Sequence, residues 1–143
     1  MNKIRLLAII VIVITYLGSI AFAQDGIRVE ITGVENEDGQ VFIGLFNKQD
    51  GFPDKGSEYN GVFVKAKGGI LYHAFIEIPG GEYAIAIFHD SNANEKLDKN
   101  FLGIPKEGYG FSNNATATFG PPSFEKAKFE FNDTYTAQIQ IGY

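Results

Sequence analysis

This sequence predicts an all-β domain behind a removable leader, and three observations carry that prediction. Wherever apolar residues recur regularly after the first 23 positions, they do so with period two, the period of a pleated strand. Clusters of Gly, Pro, Asn and Asp interrupt those runs about every eight to twelve residues, the rhythm of a sandwich or barrel. No run carries a helical period.

The leader is read from Met1-Asn2-Lys3-Ile4-Arg5, a basic start, followed by an apolar run from Leu6 to Leu17 and the small-x-small step Ala21-Phe22-Ala23. That order is the build of a signal peptide, residues 1–23, cut after Ala23. An uncleaved anchor is the rival reading, since Ile4 to Ala23 is about the 20 residues that span a bilayer. Residues 24–143 then form one domain, enough chain to bury a core without staples.

The first strand is Ile27 to Thr32, with Ile27, Val29 and Ile31 inward. Glu37-Asp38-Gly39 turns the chain, Asp-Gly being a favoured hairpin signal. Val41 to Phe46 is apolar on both sides and belongs in the middle of a sheet with both faces covered. Asp50 to Gly56 is a loop. Val62, Val64 and Ala66 alternate with Phe63, Lys65 and Lys67, and Gly68-Gly69 turns again. From Ile70 to Ile78, Tyr72, Ala74, Ile76 and Ile78 are expected inward, with His73 and Glu77 outward. After Pro79-Gly80-Gly81, Tyr83 to Phe88 is a second two-sided strand. Phe124 to Phe131 and Thr134 to Ile141 complete a set of about seven strands. Phe42, Leu45, Ile76, Ile85, Ile87, Phe129, Phe131 and Ile139 are the expected core.

Composition narrows the function. Without Lys3 and Arg5, ten basic residues face 17 acidic ones, a net charge of −7 that repels nucleic acid and anionic lipid. The absence of cysteine removes disulfides, thiol nucleophiles and cysteine-ligated zinc, and is ordinary for a bacterial envelope protein. No G-x-S-x-G or H-E-x-x-H string occurs, and His89-Asp90 is too common a step to name a catalytic pair.

His89 to Pro122 has little period and many Asn, Gly and Pro, the mark of a functional or ligand-ordered loop. Within it Asp90, Asn92, Asn94 and Asp98 place oxygen side chains at alternate positions. Calcium takes six to eight oxygens from such a loop, and Lys96 would add its backbone carbonyl. An EF-hand is excluded, because its Gly and Glu places hold Glu95 and Phe101. The rival reading is an Asn-rich turn whose side chains bond their own backbone. Glu107, Tyr109 and Phe111 are read either as a recognition surface, or with Tyr109 and Phe111 covering the open end of the core and Glu107 capping a turn or completing the ion's shell.

The segment from His89 to Ala115, HDSNANEKLDKNFLGIPKEGYGFSNNA, with GPPSFEKAKF from Gly120 to Phe129 and the earlier Gly39-Gln40-Val41 and Leu45-Phe46-Asn47, resembles the exported bacterial family catalogued as domain of unknown function twenty-one forty-one. The resemblance implies an immunoglobulin-like or transthyretin-like β-sandwich and no known reaction. The acidic loop of that family reads D-x-N-G-N-G-K-L-D, and here Ala93 and Glu95 stand in the glycine places. A position that needs positive φ loses by gaining a side chain.

The combined expectation is an exported, non-enzymatic β-sandwich, periplasmic or at the cell surface, that binds an envelope protein or glycan and carries a weak calcium loop. No nucleic-acid partner and no membrane span after cleavage are expected. The alternative is a hydrolase or isomerase acting on envelope carbohydrate through Asp90, Asp98 and Glu107. A subunit of a larger envelope assembly is a third reading.

Overall fold

The computed structural model describes residues 25–143, so the expected signal peptide lies outside the described residues. Eight strands form: β1 Gly26–Thr32, β2 Gln40–Phe46, β3 Asn60–Lys65, β4 Leu71–Ile76, β5 Gly81–Asp90, β6 Tyr109–Phe111, β7 Phe129–Phe131 and β8 Thr134–Gln140. They make a β-sandwich of two sheets, one ordered β4-β1-β8 and the other β3-β2-β5-β6 with β7 also paired to β5. In the first, β1 runs antiparallel to β4 and parallel to β8.

Alternation decides what lies between the sheets. Ile27, Val29 and Ile31 of β1, Val41, Ile43 and Leu45 of β2, Tyr83, Ile85 and Ile87 of β5, and Ala137 and Ile139 of β8 share one buried cluster. The opposite faces of β2 and β5 are also apolar, and they too are covered. Phe46, Ala84 and Ala86 pack with Phe52, Phe111, Phe124 and Ala127, while Phe42 packs with Phe63 and Phe88. Gly44 sits between Phe42 and Phe46, where a Cβ would come within 2.9 Å of both rings. Only a bare Cα lets the two phenyls flank it.

The short turns do not make hairpins. β1 and β2, β3 and β4, and β4 and β5 each lie in opposite sheets, so Asp38-Gly39, Gly68-Gly69 and Pro79-Gly80-Gly81 carry the chain between layers. Period two identifies a strand but says nothing of its neighbour.

Two expectations are corrected. Leu71 and Phe75 are the inward residues of β4 and His73 is half-buried, whereas Tyr72 is 60% exposed, Ile76 is 45% exposed and Ala74 is also exposed. Both faces of this strand are apolar, so its pattern is mute; the register against β1 decides. Ile31 pairs Leu71, Val29 pairs His73 and Ile27 pairs Phe75, and residues opposite one another share a face. Beyond Glu77, whose φ is 56°, Ile78 does pack on the core. Burial lowers the pKa of His73.

The second correction concerns Phe124–Ala127, which is a helical turn, α1, rather than the start of a strand. Three residues apart, Phe124 and Ala127 fall on one face of that turn and enter the outer cluster. The expected sandwich of about seven strands is found, with β6 as an eighth that pairs Ala86 to Phe88 of β5 through only three residues.

Replacing the central Ile85 by Ala should cost about 2 to 5 kcal/mol in denaturant unfolding. Ile76→Ala, on the outer face, should stay within about 0.5 kcal/mol of the parent. Equal costs would place β4 in the other register.

Candidate functional site

β5 ends by delivering His89 and Asp90, both buried, to one end of the sandwich. His89 Nε2 lies 2.8 Å from the Asp38 carbonyl and therefore carries the proton, which leaves Nδ1 to accept from the Tyr143 hydroxyl at 2.7 Å. The Tyr143 oxygen accepts the Glu35 amide N–H at 3.0 Å. Burial raises the Tyr143 pKa, the Glu35 N–H bond offsets part of that, and the charges of Glu35 and Glu107 add to the rise, so the phenol stays protonated as that donor.

Asp90 organises the loop that follows. Its Oδ1 accepts the Asn94 N–H at 3.0 Å, and its Oδ2 accepts the Glu95 N–H and the Gln40 amide, both at 2.8 Å. Asn92 Oδ1 then accepts the Asn94 N–H at 3.1 Å, and Asn94 Oδ1 accepts the Lys96 N–H at 2.9 Å. Successive turns of this type are what short Asx side chains build. The free amides converge on Asp98: Asn92 Nδ2 donates at 2.7 Å and Asn94 Nδ2 at 3.0 and 3.1 Å. Thus Asp90, Asn92, Asn94 and Asp98 are brought together, with Asn94 touching both carboxylates. The Lys96 side chain points to solvent.

Glu107 closes the neck. One carboxylate oxygen accepts the Ser91 N–H at 3.0 Å and the Ser91 hydroxyl at 3.2 Å, and the other accepts the Asp98 N–H at 2.9 Å. A single buried side chain thereby ties both ends of the loop. Of the expected recognition surface, Glu107 and Phe111 are each only 7% exposed and Tyr109 alone reaches solvent, at 38%. Phe111 packs edge-on to Phe52 in the outer cluster. Tyr109 lines a shallow cleft of about 350 Å³ between β6 and β8, with Asn114, Thr116, Gln140 and Tyr143 among its walls.

The string Ser112-Asn113-Asn114 is structural. Ser112 Oγ accepts the Ile85 N–H at 2.8 Å and donates to the Ala127 carbonyl at 2.6 Å. Asn113 Nδ2 donates to the Lys128 carbonyl just past α1 at 2.8 Å, and Asn114 Oδ1 accepts the Gln140 N–H of β8 at 3.0 Å. None of these roles, nor those of Gln40 and His89, has a local signature. Each partner is 15 or more residues away.

Among the described residues, no group of three or more His, Cys, Asp or Glu is placed to hold a metal. An ion in this loop would draw on amide and carbonyl oxygens beside two carboxylates. Ala93 and Glu95 have φ of 56° and 63°, so both positions require the left-handed region. Such a conformation costs an L-residue about 1 to 2 kcal/mol, against the extra unfolded-state freedom of Gly. Ala93→Gly and Glu95→Gly should therefore each stabilise the protein by about 0.5 to 1 kcal/mol in urea unfolding. A loss of stability in both would mean that the loop is not held in this form.

No curated protein and no solved structure matches the chain. A family model does, over residues 29–139, a span that takes in the sandwich from β1 to β8 and the whole acidic loop. The chain belongs to the family described as "Uncharacterized protein conserved in bacteria (DUF2141)".

Proposed function

We propose that this is an exported, non-enzymatic binding or accessory module of the cell envelope, periplasmic or at the cell surface, whose 90–98 loop takes one calcium ion weakly. The observation that carries the ion is the convergence of Asp90, Asn92, Asn94 and Asp98, with Asn94 bonded to both carboxylates. The Lys96 carbonyl and water complete the shell. Export is supported by the basic and apolar leader with its Ala21-Phe22-Ala23 step. Among the described residues no helix is long and apolar enough to cross a membrane. The partner on this reading is an envelope protein or glycan.

Carbohydrate chemistry is the weaker reading. A glycosidase needs two carboxyl groups about 5 to 9.5 Å apart across a cleft. Here Asp90 and Glu107 are buried and accept three hydrogen bonds each, all from the loop they hold except the one that Gln40 of β2 gives to Asp90. The cleft beside Tyr109 has no carboxylate in its wall.

Binding requires the Asn92 and Asn94 amides to release Asp98, and only two carboxylates offset the ion's charge. The expected Kd is therefore about 10⁻⁴ to 10⁻³ M, the range of extracellular calcium modules. At about 100 times Kd, calcium should add about 2.7 kcal/mol, a rise in Tm on the order of 10 °C. Melts in chelator, in calcium and in magnesium measure it. Asp98→Asn should remove the calcium-dependent part while leaving the melt in chelator nearly unchanged. Asp90→Asn should lower the melt in chelator as well, because Asp90 also holds backbone N–H groups. A calcium shift no larger than that of magnesium would reduce the loop to an Asn-rich turn.

A further inference from the structure

Beyond the acidic loop the chain forms a small closed projection. Lys99 and Pro105 make an antiparallel bridge. The Asn100 N–H donates to the Ile104 carbonyl and the Gly103 N–H to the Asn100 carbonyl, both at 2.9 Å. Asn100 Oδ1 accepts the Leu102 N–H at 2.9 Å and the Ile104 N–H at 3.1 Å. Four tip amides are thus satisfied from within. The side chains nevertheless point away from the protein: Phe101 is 94% exposed, Leu102 68% and Ile104 55%.

The charged residues on either side of this tip are lysines. Lys99 and Lys106 flank it, Lys96 lies one step further back, and all three are exposed. Residues 95–107 hold those three lysines against Glu95, Asp98 and Glu107, but Glu95 lies 3.9 Å from Lys55 and Glu107 is buried. Asp98 is itself engaged by the Asn92 and Asn94 amides. Fields beyond about 8 to 10 Å are screened at physiological salt, so a surface meeting the tip senses the lysines rather than the acidic total.

We propose that the Phe101-Leu102 tip docks on an anionic phospholipid surface, with Phe101 and Leu102 entering the headgroup boundary and Lys96, Lys99 and Lys106 on the phosphates. Two features favour lipid over a protein pocket. Phe101 has almost no contact with its own chain, so it offers a partner protein no surrounding rim to pack against. The tip's internal hydrogen bonds take up four of its N–H groups, so fewer backbone donors lose water as the side chains enter the headgroup boundary. This goes beyond the binding-module reading and does not depend on calcium.

Every strand and both apolar clusters lie within residues 26–143, so the chain from Gln24 onward is the test protein. It contains no Trp, and Phe101→Trp supplies a single reporter at the tip. In chelator, phosphatidylcholine vesicles with about 30% phosphatidylglycerol should shift its emission to the blue, and pure phosphatidylcholine should do so less. In co-sedimentation, Phe101→Ser with Leu102→Ser should lower partitioning at least about tenfold, with Tm unchanged because both side chains are exposed. Lys99→Glu and Lys106→Glu should each lower it about fivefold or more on the anionic vesicles only. Unshifted emission, or equal sedimentation of the double serine variant, overturns the proposal. So does a dimer in sedimentation velocity that Phe101→Ser abolishes, since the tip would then serve a second copy.

Discussion

The outer edge of β5 must be hydrogen-bonded along its whole length, and no single strand does it. β6 pairs Ala86 to Phe88, β7 pairs Gly81 to Tyr83, and the Ile85 N–H between them is taken by Ser112 Oγ. A buried N–H without an acceptor costs about 1 to 3 kcal/mol, so this one hydroxyl lets two short strands act as one. The rest follows from that join. It sets where β6 ends, hence, back along that short strand, where Glu107 stands, and Glu107 in turn fixes both ends of the acidic loop.

The same join explains the second apolar layer. Ser112 also donates to Ala127, which anchors α1 over the outer face of β5, and Phe124 and Phe52 then cover Phe46 and Ala84. A sheet with two apolar faces needs that cover as much as it needs the opposite sheet. Salt bridges from Lys128 to Glu82 and Glu125 lie at the rim of this layer and are largely exposed. Pairs of that kind add little.

The strands β1, β2, β5 and β8 were legible because one face of each, or both, is apolar without ambiguity. β4 was not, since Leu71, Tyr72, Phe75 and Ile76 offer two apolar faces, and only the pairing with β1 selects between them. Phe124 to Phe131 alternates well enough to read as one strand, yet its first half answers to the outer cluster and coils. At the site, the oxygen residues from Asp90 to Asp98 were legible as a set because their spacing is local. Glu107 was legible as a turn cap, but not its partners: its contacts with Ser91 and Asp98 span 16 and 9 residues and have no periodic trace. The glycine places filled by Ala93 and Glu95 were readable as strained, and both have positive φ.

The parallel pairing of β1 with β8 has a temporal side. Gly26 lies beside Thr134 and Thr32 beside Gln140, so the middle strand of the smaller sheet waits for the last strand of the domain. Until β8 is made, β1 has only β4 for a neighbour, and one side of the core stays open. Closing a loop of that length is slow, because the ordering entropy is spent before any contact repays it. The smaller sheet is therefore the half of the sandwich that closes last.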